Sequence, residues 1–222
     1  MFGNLRILGG WQELRNSPIL TEFRWSGLVL SAFEKNRHLF FASDDRDLPV
    51  RIPSYPHYPP HSQSAPIPGL LAMHIRRGDF EHHCGHFAMY GSRFNGFASF
   101  PELPDKFVVP EGQVTPELKA QYARACYPTV GQIVEKVREV RATSVGAGLD
   151  RVYVMTNANA TWVAELKRAL SREAKWVGFA TKRELVLTDE QRYVAQALDM
   201  MIGQRAQVVI GNGVSVHADG VL

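Results

Sequence analysis

The chain places His74-Ile75-Arg76-Arg77-Gly78-Asp79 directly after the apolar run Leu70-Leu71-Ala72-Met73. Two adjacent guanidiniums and a carboxylate delivered by a buried strand are suited to an anionic ligand. The planar fork of arginine donates bidentate, charge-assisted hydrogen bonds to phosphate, and Gly78 lets the backbone turn sharply. Side chains alternate along a strand. His74 and Arg76 are therefore expected on one side and Arg77 on the other, with one arginine facing the ligand and Asp79 holding its neighbour. A structural Arg–Asp pair at a strand end fits the same residues, and both readings stay open at this level. The tripeptide Arg77-Gly78-Asp79 is too short to argue for integrin binding.

A second polar strand end is Ile210-Gly211-Asn212-Gly213-Val214-Ser215. Its glycines and serine can present backbone N–H groups and a hydroxyl to a phosphate, and equally make a tight turn. The order is not G-x-G-x-x-G after a first strand, and neither a Walker A pattern nor a G-x-S-x-G elbow occurs. Glu81-His82-His83-Cys84-Gly85-His86 concentrates metal-ligand residue types in one run. Zinc sites usually gather ligands from separate elements, no second ligand group such as CxxC accompanies the run, and no metal site is expected. Cys84 and Cys126 flank one long irregular stretch. A disulfide in a secretory compartment and two reduced, partly buried thiols in the cytosol fit them equally.

These residues need elements to position them. Residues 11–41 read as helical, with Ser26 capping a run that carries Leu28, Leu30, Ala32, Phe33, Leu39 and Phe40. Pro49, Pro53, Pro56, Pro59, Pro60, Pro66 and Pro68 then exclude a helix or central strand over 49–68, which reads as a linker. Beyond it, strands are predicted at 70–75, 151–156, 176–179 and 206–210. Helices are predicted from Thr115-Pro116 to Val140 with a break at Pro128, over 161–170, and over 189–204 behind Thr188 or Asp189. Residues 80–115 are rich in Gly, Phe and Pro without periodicity and read as a long loop. Strands separated by helices imply βαβ units, an α/β fold and a parallel sheet. Ligands bind such sheets at the carboxyl ends of the strands. Here those ends carry Arg76 to Asp79, Thr156-Asn157 and Gly211 to Gly213.

The 222 residues allow one good-sized domain, with 45% apolar and 21% charged residues as in ordinary globular proteins. A net charge of +3 is too mild to argue for nucleic acid, though a local basic pocket for phosphate is compatible with it. No apolar stretch reaches the ~20 residues of a membrane span, and Met1-Phe2-Gly3-Asn4-Leu5-Arg6 lacks the basic-then-apolar pattern of a signal peptide.

The segment from His74 to Phe80 resembles the H-x-R-R-x-D-F type motif of GDP-fucose-dependent fucosyltransferases of the GT-B fold, which include the protein O-fucosyltransferases and the α1,6-fucosyltransferases. The segment from Ala197 to Ser215 is similar to their second motif, in which an Asp on a helix precedes a strand and a serine-containing turn. Val152 to Asn157 supplies the strand between the two motifs. The surroundings of Cys84, Pro104-Asp105 and Cys126-Tyr127-Pro128 resemble fungal fucosyltransferase-like proteins. The resemblance spans residues 70–216, about two-thirds of the chain.

The resemblance implies that residues 69–222 form a Rossmann-like, nucleotide-sugar-binding domain, the C-terminal half of a GT-B fold. It implies GDP-fucose as donor, inversion at the anomeric carbon, no metal or cofactor, a glycan or protein acceptor, and a secretory location. Arg76 matches the arginine that binds the diphosphate and stabilises the leaving GDP. His74, Arg77 and Asp79 match its neighbours, Asp199 the acid that recognises guanine, and Asn212, Gly213 and Ser215 the phosphate region. Ser215 is followed by Val216-His217-Ala218 where the family commonly continues Ser-(Phe/Leu)-Thr. Residues 1–48 are expected to be a helical remnant, too short for the N-terminal GT-B half. A fragment or a degenerate copy is accordingly expected, and a non-catalytic nucleotide-sugar-binding domain is the alternative.

Overall fold

The structure, a computed structural model, describes residues 9–41, 65–92, 94, 107 and 115–211, and the backbone of 214–217. Three short helices come first: α1 (Trp11–Arg15), α2 (Pro18–Thr21) and α3 (Gly27–Lys35). The Ser26 hydroxyl accepts from the Val29 N–H and starts α3. The greater part of the proline-rich stretch, residues 42–64, lies outside the described residues.

From there strands and helices alternate. Strand β1 (Ile67–His74) is followed by α4 (Phe80–Tyr90), α5 (Pro116–Cys126) and α6 (Val130–Arg141). Next come β2 (Arg151–Met155), α7 (Ala160–Glu173), β3 (Gly178–Thr181), α8 (Asp189–Tyr193), α9 (Ala195–Arg205) and β4 (Ala206–Gly211). A last strand, β5 (Val214–His217), returns beside β4. Side chains that compete with the backbone elsewhere stop its N–H groups here. Thr115, Thr129, Asn159 and Thr188 cap α5, α6, α7 and α8, and Thr129 and Thr188 complete capping boxes with Gln132 and Gln191.

The sheet runs in the order β3-β2-β1-β4-β5. Strands β1 to β4 are mutually parallel, and β5 is antiparallel to β4. The fold is therefore α/β, with a Rossmann-like parallel sheet flanked by helices. Leu70, Leu71, Ala72 and Met73 are all fully buried, as a central strand covered on both faces requires. Leu70, Ala72, Tyr153 and Met155 pack under α3, Phe40, Phe41 and α9 on one face. Leu71, Met73, Val152, Val154, Val208 and Ile210 pack under α6 and α7 on the other. The first core draws on residues from both sides of the proline-rich stretch.

The predicted long loop over 80–115 is corrected at its start, where α4 occupies Phe80–Tyr90 and ends at Gly91 with φ +54°. Its buried positions are Cys84 and Ala88, small residues one turn apart, so no large apolar stripe marks it in the sequence. What holds it is tertiary: a disulfide joins Cys84 to Cys126 of α5, and Ala88 packs with Leu118, Tyr122, Phe87, Phe94 and Phe107. The two cysteines are thus bonded to each other rather than free thiols. Strand β3 begins at Gly178, two residues later than Trp176, because Trp176 instead packs against the α6–α7 core with its indole N–H on the Leu170 carbonyl. No helix among the described residues is long and apolar enough to cross a membrane.

Candidate functional site

The connections fix where a ligand can sit. From β1 the chain steps to β2 and β3 through α6 and α7 on one face; from β3 it returns through α8 and α9 on the other face to β4, on the far side of β1. The strand order therefore reverses between β1 and β4, with crossovers on opposite faces of the sheet. Such a topological switch point is the usual ligand site of an open parallel sheet. His74 and Gly211 stand side by side there in register.

The two arginines part as strand alternation requires. Arg77 turns to the α6–α7 side, where its guanidinium lies 3.7 Å from the Tyr127 ring centroid and 4.9 Å from that of Trp162, and Nη1 donates to the Pro128 carbonyl at 2.7 Å. Arg76 remains exposed, and its Nη2 donates to Asp79 Oδ2 at 3.0 Å. Asp79 thus holds Arg76, whereas the sequence pattern assigned it to the arginine turned away from the ligand. The reason is local: Arg76 and Asp79 are three residues apart across a tight turn, and Gly78 makes that turn with φ +63°. The Arg76 hydrogen bond is the chief reason that the Asp79 carboxyl titrates below the usual carboxylate range.

Asn157, at the end of β2, stitches this turn in place. Its Oδ1 accepts from the Arg77 backbone N–H at 2.7 Å, and its Nδ2 donates to Asp79 Oδ1 at 3.3 Å. The Thr156 hydroxyl donates to the Ile75 carbonyl at 2.6 Å. Neighbouring strand ends are thereby locked together, so Arg76 is displayed from a rigid edge.

On the α9 side lies a second cluster. The hydroxyl of Tyr153, a fully buried residue of β2, donates to Asp199 Oδ1 at 2.6 Å. Burial raises the Asp199 pKa, against the opposing pull of the Tyr153 bond, Lys182 and His74. Burial, then the Asp199 charge, pushes Tyr153 far up, so it stays protonated and acts as a donor. His74 keeps solvent contact, yet protein atoms crowd its ring and lower its pKa, with Asp199 opposing and Arg76 reinforcing. Burial thus favours the neutral imidazole of His74, with Asp199 and Arg76 both acting on it.

His74, Arg76, Asp79 and Asp199 are therefore brought to one edge of the sheet, from the end of β1 and from α9. Arg77 is adjacent in sequence but anchors the opposite face. Ser215 stands in β5, paired with Ile210, rather than in the turn itself; Asn212 and Gly213 lie outside the described residues. Asn212-Gly213 ahead of a strand-forming Val214-Ser215-Val216 run is a hairpin signal, and it marks β5 better than it marks a phosphate loop. Sequence reasoning missed Tyr153, Lys182 and the Tyr127–Trp162 bracket around Arg77.

Among the described residues no group of three or more His, Cys, Asp or Glu could hold a metal ion, and Cys84 is committed to its disulfide. Asp45-Arg46-Asp47 has the Asp-x-Asp spacing of metal-binding carboxylates and lies outside the described residues. No known protein-family profile, curated protein or solved structure matches this chain.

Proposed function

We propose that the crevice between the carboxyl ends of β1 and β4 takes GDP-fucose, and that the chain carries the donor-binding half of a fucosyltransferase-like enzyme. The observation that carries this reading is that Arg76 and Asp199, far apart in sequence, both act on His74 at the carboxyl end of β1, where the strand order reverses. The motif resemblance at residues 74–80 and 197–215 supplies the identity of the ligand.

In this reading Arg76, steadied by Asp79, faces the diphosphate. Breaking the glycosyl–phosphate bond builds negative charge on the departing GDP, and a preorganised guanidinium lowers that barrier. Asp199 accepts from the guanine edge, and His74 lines the space between them. Arg77 supports the turn from behind. An acceptor hydroxyl of a glycan or protein attacks the anomeric carbon, its proton passes to a base, and configuration inverts without a metal. The Cys84–Cys126 disulfide supports a secretory, oxidising compartment for this chemistry.

A second reading, a nucleotide-sugar-binding domain without transferase activity, is favoured by one observation: β5 occupies the segment where the resembled family carries further hydroxyl residues. Calorimetric titration with GDP, GDP-fucose and UDP in EDTA, coupled to a fucose-release assay, tests both. Binding of the guanine nucleotides with turnover supports the transferase, binding without turnover supports the second reading, and no guanine-nucleotide binding rejects both.

A further inference from the structure

We infer that Tyr153 is the specificity-determining support of the base site: by pinning Asp199 Oδ1, its buried hydroxyl fixes a carboxylate that accepts from guanine and rejects adenine. The inference rests on the reading of the crevice as a guanine-nucleotide site and adds a residue that the resembled motifs do not contain.

The geometry is specific. Asp199 projects from α9 toward the sheet, where an aspartate side chain has several staggered rotamers open to it. The Tyr153 O–H···Oδ1 distance of 2.6 Å is that of a charge-assisted hydrogen bond. Tyr153 itself has no freedom to follow Asp199 outward. Its side chain is fully buried, and the Phe40 ring meets it edge-on at 5.4 Å and 86°. The donor is therefore fixed by the core, and the acceptor is fixed by the donor. Oδ2 takes no hydrogen bond among the described residues, while His74 and Lys182 bear on the same carboxylate electrostatically.

Base discrimination follows from hydrogen-bond inventory. The Watson–Crick edge of guanine offers the N1–H and a 2-amino N–H as donors, whereas adenine offers an acceptor at N1. A carboxylate held in place pairs with the first and leaves the second with opposed lone pairs, which costs affinity. A carboxylate free to swing aside would relieve that clash and lose the distinction. Fixing Asp199 thus matters more for rejecting adenine than for attracting a nucleotide in general. The Tyr153 bond also opposes the effect of burial on Asp199, favouring the ionised, acceptor-only form.

The test titrates GDP, IDP and ADP into wild type, Tyr153→Phe, Asp199→Asn, Asp199→Glu and the Tyr153→Phe/Asp199→Asn double variant. IDP lacks only the 2-amino donor. Wild type should prefer GDP over IDP and IDP over ADP. Tyr153→Phe should bind GDP about tenfold more weakly, a loss of about 1.4 kcal/mol. Its ADP affinity should stay within about twofold, so the preference narrows. The double variant should be no weaker than Asp199→Asn alone, because Tyr153 acts through Asp199. Asp199→Glu keeps the charge, displaces it by one methylene, and should lose the preference even though the Tyr153 ring is untouched.

An unchanged GDP:ADP preference in Tyr153→Phe and Asp199→Glu overturns the inference. Equal losses for both nucleotides in Tyr153→Phe overturn it too, since they mark a purely structural role. If wild type itself shows no guanine preference, the guanine-site reading fails and takes this inference with it; that result needs no variant, so the two failures are told apart. Near-UV circular dichroism at the titration temperature establishes that each variant is folded.

Discussion

Arg76 Nη2 lies 3.0 Å from Asp79 Oδ2, with both side chains more than half exposed at the carboxyl end of β1. An ion pair so exposed contributes little to folding, because solvent screens it and ordering two side chains costs entropy. Its consequence is positional: the carboxylate holds the guanidinium at the carboxyl edge of the sheet instead of letting it sweep through solvent. Arg77, one residue on, is instead held between Tyr127 and Trp162 and bonded to the Pro128 carbonyl.

Arg77→Ala is expected to lower stability by about 1–3 kcal/mol, from the charged hydrogen bond to Pro128 and the stacking on Tyr127 and Trp162. Nucleotide affinity should change far less. Arg77→Lys should not recover the loss, since an ammonium neither stacks as a plane nor donates as a fork. Urea unfolding of the three proteins checks this.

Gly78→Ala should cost about 1–2 kcal/mol, the usual penalty for an L-residue in the left-handed region. The new Cβ itself would have room, 3.4 Å from Asn157 Nδ2, so the cost lies in the backbone conformation. The expected signature is a lower unfolding midpoint together with weaker nucleotide binding, because Arg76 hangs on the same turn.

How far such positions could be read beforehand depended on the range of the forces involved. The apolar run at Leu70 to Met73, the caps at Ser26, Thr115 and Thr188, and the break at Pro128 are local signals, and each marks an element of the structure. The opposite directions of Arg76 and Arg77 follow from the two-residue period of a strand. Helix α4 was hidden because Cys84 and Ala88 are small and its stability comes from a disulfide to a residue far along the chain. Strand β5 was missed although Asn212-Gly213 is a hairpin signal, because its glycines and the following serine also suit a phosphate loop. The Tyr153–Asp199 bond joins residues 46 apart, and it exists only because α9 returns across the same face as β2. No window on the sequence contains that fact.

Replacing both cysteines, Cys84→Ser with Cys126→Ser, should lower stability by about 2–4 kcal/mol through the loop that the bridge closes. Wild type in a strong reductant should show the same shift, whereas the double variant should not respond to reductant. Thermal unfolding with and without reductant tells these apart.

The pH dependence carries two opposite signatures. Burial raises the Asp199 pKa above its ordinary value of 3.8, so the folded state binds more protons than the unfolded state in that window. Stability is then lost as pH rises through the raised folded value, and Asp199→Asn, which keeps an acceptor for Tyr153, should be more stable than wild type at neutral pH. His74 is lowered from 6.5, so its contribution is present above that value and lost as pH falls through the depressed folded one. His74→Gln should flatten that acidic limb. Urea midpoints measured across the pH range check both signs.

The most direct measurement is calorimetric titration of GDP-fucose into wild type and Arg76→Ala at one salt concentration. A diphosphate seated on Arg76 predicts saturable binding to wild type and a loss of about 1.5–3 kcal/mol in the variant, roughly ten- to a hundredfold in affinity, with folding stability unchanged. GDP-fucose binding that survives Arg76→Ala at wild-type affinity, or that is absent from the folded wild type, would contradict the assignment of the crevice.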